Sequence, residues 1–350
     1  MTVRGPFELG SLNVAPGSRG QTELSVARLV TGAPLAIPVT VVHGRRDGPT
    51  IWLSAAIHGD EVNGVEIIRR VLERLDARTM AGTLLAVPIL NVPGFMTGDR
   101  YLPDRRDLNR SFPGSERGSL GARIANIFMT QVVNRCSIGI DLHTGSAHRT
   151  NLPQVRGDLD DPETYRLAAA FGAPLMLHAA IRDGSLRQAG TERGVTVLLY
   201  EGGEAWRFDE AAIGCGVEGV LRVLEAVGVI ASSGLDPAAA RTSVEARSTR
   251  WVRARRSGLA LIEVEPGESV AKGQNIGRIH DTTGHRLSRI NAPFDGIVIG
   301  RSLDPIVHQG DALVHIAQTR TITPPSPTFD STSRSTTVLG RPAHLPEVPS

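Results

Sequence analysis

The feature that most constrains how this chain can fold is an alternation of strand-length apolar runs with segments whose apolar residues recur at helical spacing. TIWLSAAI (residues 50–57) is a continuous apolar run, and in the following Glu61 to Leu75 the residues Val65, Ile68, Leu72 and Leu75 fall at helical spacing. That order predicts a strand leading into a helix, with Asp60 placed to cap the helix. The pattern recurs: TLLAVPIL (83–90) reads as a strand, Gly121 to Val133 as a helix, SIGIDL (137–142) as a strand, TYRLAAAFG (164–172) as a helix and VTVLLY (195–200) as a strand. Helices that carry the chain back between strands imply an α/β fold around a largely parallel sheet. Residues 1–45 read instead as short strands punctuated by Gly and Pro, among them Leu35 to Val42.

A helical stretch ends near Val229 and ASSGLDPAAA (231–240) reads as a linker. From about Val244, short β-type runs broken by glycine replace the helical periodicity. The expected organisation is a first domain over 1–230, a smaller β domain over 244–318 and a tail over 319–350. At 350 residues and 41% apolar content the chain can bury both cores. In the second domain Val270, Gly273, Gln274, Ile276 and Ile279 match Val307, Gly310, Asp311, Leu313 and Ile316 at identical spacing. Two such halves predict a small pseudo-symmetric β-barrel. This pattern resembles the biotinyl/lipoyl hammerhead, in which a lysine between the halves carries the cofactor, but HDTTGHRLSRINA holds no lysine, which argues against a carrier role. The tail is rich in Ser, Thr and Pro and is expected to be disordered.

With 38 basic and 36 acidic residues and no long basic run, the chain is not expected to bind nucleic acid. The N-terminus lacks the apolar core of a signal peptide, and no stretch approaches the ~18 apolar residues of a membrane span. A cytoplasmic location with no membrane partner is the expectation. Cys136 and Cys215 sit among small and apolar neighbours outside any Cys-x-x-Cys pair, and both read as buried thiols.

AIHGDEVNG places His58 and Glu61 three apart where a strand gives way to a helix, so both side chains can converge on one ion. Alone, the pair reads more readily as a capped helix with an acidic first turn. In IDLHTGS, His143 closes another apolar strand and can supply a third ligand, with Asp141 either orienting an imidazole or serving a turn. Two nitrogens and one carboxylate, with a position left for water, is the donor set of a catalytic zinc site. His58, Glu61, Asn91, His143 and Glu201 all fall near the carboxyl ends of predicted strands, the edge at which open α/β sheets bind ligands. Glu201, in LLYEGGE, can move a proton to and from water and the leaving group, with Glu204 as its competitor. Between the metal segments, NVPGFMTGDRYLPDRRDLNRSFPG is dense in arginine, whose planar fork suits an anionic substrate group. Asn109 and Arg110 lead as that grip, and Arg100 as the group that stabilises a developing oxyanion. Arg105 and Arg106 belong to the same loop, where pairing with its acidic residues is an alternative, and are not counted among the site residues.

Taken in order, HGDE, DLNRSFPG, DLHT and YEGG resemble the succinylglutamate desuccinylase and aspartoacylase family, a branch related to the zinc carboxypeptidases, over about residues 40–230. The resemblance implies a zinc-carboxypeptidase-like mixed sheet and one zinc per chain on His58, Glu61 and His143. It also implies Glu201 as general base and acid, Asn109 and Arg110 as the carboxylate clamp and Arg100 as oxyanion stabiliser. DGSLRQAG is similar to a substrate-loop segment of relatives, with Arg187 as a contact. The implied reaction is hydrolysis of the amide bond of a small N-acyl amino acid. A metallocarboxypeptidase acting on a short peptide, and a non-catalytic zinc-stabilised binding protein, are the competing expectations, and assembly into a homo-oligomer is left open.

Overall fold

The computed structural model describes residues 4–235 and 242–319; the second half of the expected linker and nearly all of the expected tail lie outside the described residues. Phe7–Leu9 (β1) and Leu12–Val14 (β2) form a hairpin, followed by Ser18–Arg28 (β3), Pro34–His43 (β4), Arg46–Ala55 (β5) and the helix Asn63–Arg74 (α1). Next come Ala81–Val87 (β6), Val92–Thr97 (α2), Leu120–Gln131 (α3), Ile138–Gly145 (β7), Arg149–Gly157 (β8) and Pro162–Phe171 (α4). Leu175–His178 (β9), Leu186–Thr191 (α5), Thr196–Glu204 (β10) and Glu210–Ala226 (α6) complete this part. Every predicted strand and helix between residues 50 and 200 is present.

The sheet order is β3-β4-β6-β5-β7-β10-β8, with β6, β5, β7 and β10 mutually parallel. β3 and β4 run antiparallel to their neighbours and β8 antiparallel to β10, so the fold is mixed α/β with a parallel centre. The antiparallel flank comes from the early residues, whose glycine and proline turns connect strands directly, without helices. Alternation along each central strand sends successive residues to opposite faces. Ile51, Leu53, Ile140, Leu142, Leu198 and Tyr200 face a core that includes residues of α1, α4 and α6. Trp52, Leu85, Val87 and Val197 face the other, with α3 and α5.

The helix after β5 starts later than the sequence suggests. Val62 is its N-cap residue, without a side-chain cap, and Asn63 opens the helix, so Asp60 does not cap it. The intervening residues are held by a tertiary constraint: a Cβ on Gly59 would lie 2.0 Å from the Gly94 carbonyl carbon in α2. Asn63 ties the helix start to β10 instead, donating to the Gly202 carbonyl at 3.3 Å and accepting from the Asp209 N–H.

The C-terminal strands are Val244–Ala246 (β11), Ser248–Arg253 (β12), Gly258–Ile262 (β13), Ser269–Val270 (β14), Asn275–His280 (β15), Arg286–Asn291 (β16), Gly296–Ser302 (β17), Ile306–Val307 (β18) and Ala312–Gln318 (β19). The repeat read from the sequence has a structural counterpart. β14 and β18 are matching two-residue strands, Gly273 and Gly310 turn with φ of 83° and 97°, and β15 and β19 follow. Each short strand pairs across to the other half, β14 with β17 and β18 with β13. The hydrogen bonding does not close one barrel. β16-β15-β13-β18 form one sheet, while β12, β19 and β17 extend the large sheet, and the two share a core that includes Ile276, Ile279, Val298, Leu313 and Ile316. β11, at the expected domain boundary, pairs in parallel with β9. No disulfide joins the cysteines: Cys136 is buried, which pushes its thiol pKa up, whereas Cys215 is only partly buried. No helix among the described residues is long and apolar enough to cross a membrane.

Gly139 of β7 lies directly opposite Trp52 of β5, and a Cβ there would sit 2.0 Å from the indole. Gly139→Ala is expected to destabilise the fold by about 1–3 kcal/mol through overpacking. Differential scanning calorimetry would read this as a lower Tm.

Candidate metal centre and active site

His58, His143 and Glu201 emerge where the parallel strands β5, β7 and β10 end. After β5 the backbone turns at Ala56, whose φ of 48° is left-handed. The carbonyls of Ala55 and Ala56 accept the N–H groups of Leu90 and Asn91, which supports that conformation. His58 follows, and the Glu61 N–H returns to the His58 carbonyl at 3.1 Å.

Glu61 is buried and stands between two imidazoles. Its Oε1 lies 2.8 Å from Nδ1 of His58, and its Oε2 lies 2.8 Å from Nδ1 of His143 and accepts the Thr144 N–H at 3.2 Å. The outward nitrogens are also held by carboxylates. Nε2 of His143 is 2.8 Å from Asp141 Oδ2, and Nε2 of His58 is 3.2 Å from Asp107 Oδ1. Asp141 is fixed in turn by the Ser54 hydroxyl at 2.7 Å, and Ser54 by the Trp52 indole N–H at 3.3 Å. Arg100 donates from Nη1 to Glu61 Oε1 at 3.0 Å and sits 3.5 Å from Asp107 through Nη2.

Burial alone would push His58, Glu61 and His143 toward their neutral forms, but their neighbours outweigh it. Burial opposes charging of His143, yet Asp141 and Glu61 hold its pKa well above the usual histidine value. His58 is raised in the same way by Glu61 and Asp107. The two imidazoles likewise hold Glu61 well below the ordinary carboxylate range against its burial. Asp60, buried with its Oδ1 unpartnered and next to Glu61, is pushed up to about 6.

The donor set fits zinc. A ring nitrogen of His58, one of His143 and a carboxylate oxygen of Glu61 lie within 4.8 Å of one another, and Nδ1 of each ring is 2.8 Å from the carboxylate. Although Nδ1 of His58 is within ion-pair distance of Glu61, it is buried without a hydrogen-bond partner, the condition of a ligand atom aimed at an ion. A carboxylate on Nε2 of each ring fixes the tautomer that presents Nδ1 to a metal. Asp158, Asp160 and His178 form a second such grouping among the described residues, but its two carboxylates are exposed.

Glu201 lies beside His143 in the parallel register, on the same face of the sheet. The strand does not end before it, as the sequence suggests, but continues to Glu204 with an irregularity after Glu201. Glu201 Oε2 accepts from Asn151 Nδ2 at 2.7 Å and forms an ion pair with Arg156 Nη2 at 3.0 Å, both on β8. Glu204 is 3.5 Å from Arg207 instead. Gly203 adopts φ 73°, and a Cβ there would lie 2.7 Å from Asn63 Nδ2, so close packing against α1 requires this glycine.

Asn109 and Arg110 sit on a 3-10 turn, Leu108–Arg110, capped by Asp107. Asn109 is buried and its Oδ1 accepts the Leu186 N–H at 2.9 Å, leaving its NH2 for a ligand. Arg110 is exposed and has no acidic partner among the described residues; its guanidinium donates to the Asn109 carbonyl. Arg187, beside Leu186, donates to the carbonyls of Ala179 and Ala180 at 2.9 and 2.6 Å. Burial, together with Arg156 and Arg182, lowers its pKa. Asn91 has a structural role here, capping α2 by accepting the Gly94 N–H at 3.0 Å.

The succinylglutamate desuccinylase/aspartoacylase catalytic-domain model matches residues 47–227. The chain is 30% identical over 293 residues to the N-alpha-acetyl-L-2,4-diaminobutyric acid deacetylase of Halomonas elongata, covering 81% of this chain and 85% of that protein. This chain belongs to that family. Its fold is similar to a solved succinylglutamate desuccinylase/aspartoacylase from Rhodobacter sphaeroides, with a TM-score of 0.76 and 28% identity over 86% of this chain and 95% of that one. The product-bound ectoine utilization protein EutE (DoeB) of Ruegeria pomeroyi matches at a TM-score of 0.76 and 26% identity, with the same coverage.

The family motifs account for the residues singled out in the sequence but not for those that hold them. Asp107 stands two residues before Asn109 in the DLNR motif, and only the fold reveals its contact with His58. Asn151 and Arg156 belong to no motif. Their signal in the sequence is limited to polar residues in an otherwise apolar strand, NLPQVR.

His143→Ala is expected to remove bound zinc, read as metal per chain by inductively coupled plasma mass spectrometry. Asp141→Asn, which keeps the shape of the carboxylate, is expected to weaken zinc affinity by about 10–100-fold in a chelator competition.

Proposed function

We propose that this protein is a zinc-dependent hydrolase of small N-acyl amino acids, releasing a carboxylic acid and a free amino acid. The observation that carries this reading is the Glu61 carboxylate set between two imidazole Nδ1 atoms, each ring backed by a second carboxylate. His58, Glu61 and His143 would hold one zinc, which supplies a Lewis acid that polarises the acyl carbonyl and acidifies water.

The other groups divide the remaining work. Glu201 is tethered through Oε2, so Oε1 is the oxygen that takes the proton of the attacking water and returns it to the leaving amine. Arg100, 3.0 Å from Glu61, is close enough to share the charge that develops on the acyl oxygen. The NH2 of Asn109 and the Arg110 guanidinium, which has no acidic partner among the described residues, grip the carboxylate of the amino acid. Arg187, linked to Asn109 through Leu186, borders the same region. The substrate named for the Halomonas relative makes Nα-acetyl-L-2,4-diaminobutyric acid the first compound to test.

A mass-spectrometric screen of zinc-loaded protein against N-acyl amino acids and short peptides tests the reading. Turnover of the former is expected; release of terminal residues from peptides alone would favour a carboxypeptidase. Glu201→Gln is expected to retain zinc and lower kcat by about 100-fold or more, and activity within about tenfold of wild type would remove Glu201 from the mechanism.

A further inference from the structure

No described residue of the C-terminal lobe belongs to the metal site, yet its strand β17 lies against β8, the neighbour of the strand that holds Glu201. Residues 149–151 of β8 pair with β17, where Gly300 is opposite Asn151. Asn151 is buried, and its amide group divides between two neighbours. Nδ2 donates to Glu201 Oε2 at 2.7 Å, while Oδ1 faces Gly300. A Cβ on Gly300 would lie 2.6 Å from that Oδ1 and 3.1 Å from the Thr150 carbonyl oxygen. The absence of a side chain at residue 300 is therefore what gives the Asn151 amide its present place. Arg156 pairs with the same Glu201 oxygen at 3.0 Å, so one hydrogen bond and one ion pair converge on Oε2, and no hydrogen bond among the described residues engages Oε1.

We propose that the C-terminal lobe positions the catalytic base: Gly300 of β17 seats Asn151, and Asn151 with Arg156 holds the Glu201 carboxylate so that only Oε1 faces the reaction. This rests on the reading of Glu201 as the base. Asn151, Arg156 and Gly300 are positioning residues, acting through the Glu201 carboxylate. Their effect falls on the turnover step because a carboxylate that swings away from the water loses alignment while the clamp on the substrate stays intact.

Gly300→Ala is the discriminating variant. Gly300 has no left-handed φ, and the nearest atom to the new methyl group is the end of the Asn151 side chain, so the amide turns while the Thr150 carbonyl, 3.1 Å away, gives only slightly. Crystal structures of wild type and Gly300→Ala should show Asn151 Nδ2 beyond hydrogen-bond reach of Glu201 in the variant with the pairing of β8 and β17 kept. An amide still in place overturns the proposal. With Nα-acetyl-L-2,4-diaminobutyric acid, or with the N-acyl amino acid the screen identifies, kcat should fall on the order of 10–100-fold at unchanged KM and zinc content. Asn151→Ala should cause a similar loss. Adding Gly300→Ala to Asn151→Ala should then lower kcat by less than about twofold, because the two act through one contact. Additive losses, or equal changes in KM, would mean that Gly300 acts on the lobe generally, and would sink the proposal. Inactive Glu201→Gln alongside unaffected Gly300→Ala and Asn151→Ala defeats this inference alone, whereas active Glu201→Gln defeats the function it builds on.

Discussion

The Glu61 carboxylate is enclosed by protein, and each of its oxygens sits 2.8 Å from an imidazole nitrogen, so the arrangement around it is governed by charge balance in a water-poor interior. Three carboxylates, those of Asp107, Glu61 and Asp141, contact the two rings, and one guanidinium, Arg100, joins them. That leaves two negative charges to be met. Two protonated imidazoles meet them within the protein, which is why both histidine pKa values are raised, and one divalent ion with neutral rings would meet them equally well.

The sheet supplies the rigidity that such a chain of contacts needs. On the face shared with α3 and α5, polar groups climb from Trp52 to Ser54 and Asp141 and then to His143, with Glu201 next to His143 on β10. Each step links adjacent strands or residues two apart on one strand, so the orientation of His143 is tied to a tryptophan that fills the core. β8, running antiparallel beside β10, brings Asn151 and Arg156 to the same edge from the opposite direction.

How much of this was legible in the sequence depended on how local each signal was. The strand and helix alternation is a local periodicity, and it delivered the central elements. His58 and Glu61, three residues apart, and His143 at a strand's end were readable because strand ends and ligand chemistry coincide there. The start of α1 was misplaced because Asp60 is an ordinary capping residue in sequence, whereas packing of Gly59 on α2 postpones the helix. Asp107, Asn151 and Arg156 stayed hidden as participants because their partners lie 49, 50 and 45 positions away and only tertiary folding introduces them. The repeat in the C-terminal lobe was visible, but the union of its strand β17 with β8 was not, since nothing local encodes which strand edge will meet which.

That union has a consequence for the history and handling of the molecule. Because hydrogen bonds run without a break from β10 through β8 into β17 and β19, the lobe is not an appendage on a hinge. Cutting it away would uncover the first part of β8 as a raw edge of N–H and carbonyl groups, open to pairing with other chains. A shortened version of this enzyme would thus face self-adhesion before any question of activity arose, and the lobe serves as the seal on that border.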